Sequence, residues 1–180
     1  MHPVFTIGHS TRSSAELIAL LRESAVDLLI DVRRFPMSAR YPHFNKEELA
    51  RALPAAGIAY LHEEVLGGRR TPRRDSPNTA WRNAQFRGYA DHMDTLAYRE
   101  AVQRILERAQ TINQAVMCAE AVPWRCHRNL LADALVARGL EVLHIVQSGR
   151  TSRHALHKEA TVLADARIIY GPRVDQMDLL

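Results

Sequence analysis

The sequence predicts a single α/β domain over residues 1–180, with a mostly parallel sheet of about five strands and helices on both faces in Rossmann-like layering. Short apolar runs alternate with helical patterns along the chain. Those runs are continuously apolar, as in strands covered on both faces, rather than alternating polar and apolar. No internal repeat or long linker divides the 180 residues, a length that suits one domain with a sizeable core.

The elements follow in order. "VFTIGHS" (4–10) is a β-rich run ending in Gly8, His9 and Ser10. "SSAELIALLRESA" (13–25) is a helix with Ser13 or Ser14 as its cap. "VDLLIDVRRFP" (26–36) contains a second strand, stopped by Pro36. "NKEELARALPAAG" (45–57) is a helix capped by Asn45, and "IAYLHEEVLGG" (58–68) a third strand running into a turn. Residues 67–83, "GGRRTPRRDSPNTAWRN", form a loop-like insertion. "FRGYADHMDTLAYREAVQRILERAQ" (86–110) reads as one long helix, with Met93, Ala97, Ala101 and Ile105 at four-residue spacing. "QAVMCAE" (114–120) is a fourth strand, "CHRNLLADALVARG" (126–139) a helix closed by Gly139, and "EVLHIVQ" (141–147) a fifth strand. Residues 148–180 form a C-terminal extension in which "ARIIYGP" is a short strand.

Composition narrows the function classes. With 47% hydrophobic and 24% charged residues, the chain is globular rather than disordered. It has no apolar stretch long enough to span a membrane and no secretion signal, so a cytoplasmic location and no membrane partner are expected. Two cysteines are too few for a disulfide framework. The net charge of +4 rests on 22 arginines and 2 lysines, a balance that permits a phosphate-bearing partner.

In doubly wound sheets, ligands bind outside the carboxyl ends of the strands. Here those ends carry His9 and Ser10, then Asp31 and Arg33, then Gly67 and Gly68, then Cys118 and Glu120, with Cys126, His127 and Arg128 opening the next helix. The stretches "TIGHS", "DVRRFPMS", "GIAYLHEEVLGG", "FRGYADHM" and "MCAE…CHR" resemble the bacterial family called domain of unknown function 488, in order from about residue 5 to residue 146. The resemblance implies a compact α/β fold and implies no activity. Its motif positions overlap strongly with the strand-end residues.

Several chemistries fit these residue types. Cys126 beside His127 and Arg128 at a helix start, or Cys118 at a strand end, is a candidate thiol nucleophile. A phosphatase loop needs Cys-x5-Arg, but Trp124 stands where that arginine would be. Cys118, Cys126, His127 and His9 are zinc-ligand types, but the paired Cys-x2-Cys spacing of structural zinc is absent, so zinc is a minor alternative and no metal or other cofactor is expected. Asp31 and Glu120 form a candidate acid–base pair, with His9 and His127 as proton partners. Arg33 and Arg128 would hold an anion, joined by Ser10, Gly67, Gly68, Arg69 and Arg70. Arg69, Arg70, Arg73 and Arg74 could grip a phosphate backbone, with Trp81 and Phe86 stacking on bases.

The expectation is therefore an enzyme, hydrolase or transferase, acting on a nucleotide or nucleic acid at the carboxyl edge of the sheet. The rival is a non-catalytic nucleic-acid-binding module. An enzyme requires the strand-end groups to converge on one open cleft.

Overall fold

Six strands form one sheet in the order β3-β2-β4-β1-β5-β6 in the computed structural model, which describes residues 1–171. They are β1 (Val4–Gly8), β2 (Leu28–Asp31), β3 (Ala59–His62), β4 (Gln114–Cys118), β5 (Val142–Gln147) and β6 (Arg150–Arg153). The first five run parallel, and β6 lies antiparallel on β5. The expected count of about five omitted β6, because its sequence "RTSR" is polar and exposed throughout, with no apolar run to mark it. A separate two-stranded piece pairs β7 (Ala160–Val162) with β8 (Ile168–Tyr170). Residues 172–180, including the Pro172 that closes "ARIIYGP", lie outside the described residues.

Alternate strand residues feed two cores. Phe5, Ile7, Leu29 and Met117 pack against Leu17 and Leu21 of α1 (Ser14–Glu23) and Leu49 and Leu53 of α2 (Lys46–Ala55). On the opposite face, Ile30, Val32, Val116 and Cys118 pack against α3 (Ala84–His92), α4 (Leu96–Arg108) and α5 (Arg128–Val136). No helix among the described residues is long and apolar enough to cross a membrane.

Local chemistry sets the helix ends. Ser13 caps α1 in a reciprocal capping box with Glu16. Asn45 occupies the cap position of α2, but its side chain accepts from Ser38 N (2.6 Å) instead of from the helix. The expected long helix 86–110 is two helices. Thr95 breaks it by donating to His92 O (2.8 Å) and accepting from Tyr98 N (3.3 Å), so its hydroxyl caps α4.

A buried polar chain ties the C-terminal segment to the sheet. Tyr170 Oη donates to Asp133 Oδ2 (2.8 Å) and His154 Nε2 to Asp133 Oδ1 (2.8 Å). A carboxylate only accepts, so the direction of each bond is set from that end. His144 Nε2 then donates to His154 Nδ1 (2.9 Å), and Thr6 Oγ1 to His144 Nδ1 (2.7 Å). Burial, with the neighbouring His154 and Arg128, holds His144 down at about 4. A histidine neutral in the fold and titrating near 6.5 when unfolded contributes stability that is complete above pH 6.5 and lost as pH falls toward 4. Between pH 7 and 5, one such group removes about 2 kcal/mol. Urea unfolding at pH 7, 6 and 5 is expected to show this decline, and a flat profile would contradict a neutral buried His144.

Candidate functional site

The strand order places the site. β1 and β4 are neighbours, but β1 leads to β2 on one side and β4 to β5 on the other, so their loops part at this point of the edge. The ladder runs on past the strands: His9 N donates to Cys118 O, Ser10 N to Ala119 O and Val32 N to Met117 O, each at 2.9 Å. These bonds hold the ends of β1, β4 and β2 level around a cleft of about 770 Å³. His9, Ser10, Arg33, Gly68, Arg69, Cys118, Glu120, Cys126 and His127 all line it.

Two glycines permit this closeness. The Glu120 carbonyl crosses the end of β1 where a side chain on Gly8 would stand. A Cβ on Gly68 would lie 2.8 Å from His127 Nδ1, so the imidazole takes its place only beside glycine. Ser10 (φ 50°) and Arg69 (φ 59°), both on the cleft wall, hold the left-handed conformation that non-glycine residues seldom adopt.

A thiol–imidazole group faces the cleft. His127 Nε2 donates to Val32 O (3.2 Å), which leaves Nδ1 as an acceptor 3.9 Å from Cys118 Sγ and 3.7 Å from Cys126 Sγ. Both cysteines are free. The facing Cys126 thiol, donating to its sulfur, and after it the His127 ring, once Nδ1 has taken the thiol proton, hold Cys118 well below the ordinary thiol value despite burial. Cys126, facing that sulfur and buried, is pushed well above it. Of the pair, Cys118 is the more acidic thiol and Cys126 the less acidic. The two sulfurs and an imidazole nitrogen lie within 4.8 Å of one another, so the group could also hold a metal ion such as zinc. The bond from Nε2 to a carbonyl is one that metal-ligating histidines make as well. The sequence offered these ligand types without a Cys-x2-Cys turn, and the fold brings the three together in place of such a turn.

Beneath the cleft, Asp31 is fully buried with both oxygens occupied. Arg33 Nε donates to Oδ1 (2.8 Å), Arg33 Nη2 to Oδ2 (2.6 Å) and Tyr60 Oη to Oδ2 (2.8 Å). Asp31 does not line the cleft, which corrects its expected role as acid or base: it positions Arg33. His9 is committed in the same way. Its Nδ1 donates to Ser10 O (3.0 Å), its Nε2 accepts from Arg33 Nη1 (3.2 Å) and its ring stacks on Phe44 at 4.1 Å. Burial and the Arg33 charge lower it to about 4, so it is a neutral support rather than a proton donor.

Other expected residues lie away from the cleft. Arg128 is buried under the β4–α5 loop, where Nη2 donates to Glu120 O (2.9 Å) and Ala121 O (3.4 Å); it shapes the wall and does not reach an anion in the cleft. Gly67 packs against the Arg34 backbone, and Arg70 donates to Gly67 O (3.0 Å) and Val65 O (3.1 Å). The insertion 67–83 is pinned by Asp91, which accepts from Arg73 N, Ser76 Oγ and Asn78 Nδ2 at 2.6–2.8 Å. Trp81 is no open base platform: it stacks on Phe86 (5.1 Å) and packs against His157 (4.7 Å) and Tyr170 (5.5 Å). In the opposite direction, Arg34, Phe35, Met37, Arg40 and Arg125 line the cleft without having been expected there. Arg34 follows Arg33 directly, so adjacency to a strand-end residue was the available signal.

Fold and site together define a Rossmann-like α/β protein with a thiol–imidazole group in a cleft at the carboxyl edge of its sheet. The chain belongs to the family described as Domain of unknown function DUF488, whose model matches residues 13–135. The matched span contains every cleft residue except His9, Ser10 and Thr11. No curated protein and no solved structure gave a match.

Proposed function

We propose that this protein is an enzyme, a hydrolase or group transferase, that acts on a phosphate-bearing substrate, nucleotide or nucleic acid, in the strand-end cleft. One observation carries the reading: among the described residues, five arginines (Arg33, Arg34, Arg40, Arg69 and Arg125) line the cleft against a single carboxylate, Glu120, and the thiol–imidazole group stands among them. Guanidinium forks suit phosphate oxygens. Arg33 is held by Asp31, His9 and the Phe44 carbonyl, which use four of its five N–H groups and leave one for a ligand.

In this reading Cys118 Sγ bonds to the electrophilic atom as the bond to the leaving group breaks. His127 returns to the leaving group the proton it took from the thiol; water or an acceptor hydroxyl then attacks the covalent intermediate, passing its proton to the half-exposed Glu120 carboxylate as Cys118 Sγ departs and the product is released, and Glu120 hands that proton back to the sulfur. His127 orients the sulfur and accepts a thiol proton. The convergence of these groups on one cleft supports an enzyme over a purely binding module.

Titration calorimetry with nucleoside monophosphates tests the reading. Binding at low salt is expected to weaken at least about tenfold in Arg40→Ala/Arg125→Ala, since charge-assisted bonds to phosphate contribute most of it. No binding by the unaltered protein would overturn it. Metal analysis of the same protein tests the thiol role: one tightly held zinc per chain, with thiol labelling only after chelation, would make the group a metal centre instead.

A further inference from the structure

Resting on that reading, we infer that the rim of the cleft is a binding surface for single-stranded nucleic acid, with Phe35 and Trp124 as its base-stacking platforms. Both rings are exposed, Phe35 by 58% and Trp124 by 72%. They are the only exposed Phe, Trp or Tyr side chains among the described residues. Phe35 lines the cleft on the loop after β2, and Trp124 stands beside the cleft residue Arg125 on the loop after β4.

The charges around these rings match a polyanion. The Arg34 guanidinium lies 5.4 Å and that of Arg69 5.9 Å from the Phe35 ring centre, and Arg40 lies 5.4 Å from that of Tyr41. All five residues of these arginine–aromatic contacts belong to the cleft wall. Aromatic faces interleaved with guanidiniums take up unstacked bases and the phosphates between them. A duplex hides its base faces, and a mononucleotide has one base for two platforms on separate loops. A strand of two or more nucleotides uses both. The platforms thus differ from those the sequence suggested, since Trp81 and Phe86 stack on each other.

Fluorescence anisotropy with labelled 12-nucleotide single strands of DNA and RNA, a 12-base-pair duplex and a nucleoside monophosphate competitor tests this. Single strands are expected to bind at least about tenfold more tightly than the duplex, Phe35→Ala/Trp124→Ala to lose at least about tenfold of single-strand affinity, and Trp124→Ala, whose ring is not part of the cleft lining, to weaken single strands while leaving mononucleotide affinity unchanged. Both side chains are exposed, so the variant keeps its core, and far-UV circular dichroism checks it. Trp124 fluorescence is also expected to be quenched by single strands, a signal absent in Trp124→Phe. If mononucleotides bind while single strands bind no more tightly than duplex, or the double variant binds them as before, the rim inference is wrong and the phosphate-substrate reading stands. If neither class of ligand binds, both are wrong.

Discussion

Replacing Cys118 with serine is expected to remove nearly all iodoacetamide labelling at pH 6.5, whereas replacing Cys126 with serine leaves labelling at Cys118. An ordinary thiol is only about 1% ionised at that pH, so fast labelling there reports a lowered thiolate. In the proposed reading that thiolate is Cys118, which the facing Cys126 thiol holds low, and Cys126, pushed up by that sulfur and by burial, is the slower partner, although both lie within 4 Å of the same imidazole nitrogen. The rate is expected to fall at least about tenfold in Cys118→Ser. Cys126→Ala removes the donor that contributes most to lowering Cys118, so the midpoint of its pH–rate profile rises, and Cys126→Ser restores part of the change. Mass spectrometry of labelled peptides reads the site directly. Equal labelling of the two cysteines, or a Cys118 that reacts only near the pH of a free thiol, would remove the basis for its role.

The second large effect is on stability. Asp31→Ala is expected to cost about 3–5 kcal/mol, because it leaves Arg33 buried with its charge uncompensated. The pair is 2.6 Å apart, with side chains 7% and 0% exposed, and Tyr60 shares the same carboxylate. Asp31→Leu/Arg33→Met removes both charges and is expected to cost much less than Asp31→Ala alone. Urea unfolding separates these outcomes. A cost below about 1 kcal/mol for Asp31→Ala would place the pair in water rather than in the protein interior.

Much of the fold was legible because burial on both faces writes an apolar run into each parallel strand, as in "VFTIG" and "QAVMC". β6 was not, since an edge strand with polar side chains leaves no such trace. The site was legible in outline for the same reason: once the strand ends are found, the topology brings His9, Arg33, Cys118, Glu120 and His127 to one edge. Which way a side chain turns is another matter. Asp31 and Arg128 stand beside cleft residues in the chain, yet both point inward, to Arg33 and to the Glu120 carbonyl. That choice depends on partners that no periodicity reveals. The same holds for Thr6 and His144, hydrogen-bonded across 138 positions. Phe35, Met37 and Arg40 were missed because the stretch around Pro36 has neither helical nor strand spacing to orient it.

The central claim is that a reactive Cys118 and an arginine-lined phosphate site share one cleft. Protection of Cys118 tests it most directly: iodoacetamide labelling of the unaltered protein at pH 6.5, with and without saturating nucleoside monophosphate, read at the Cys118 peptide. Fast labelling that the nucleotide slows several-fold is the predicted result. Labelling of Cys118 that is slow from the start, or unchanged by a nucleotide shown to bind, would contradict it.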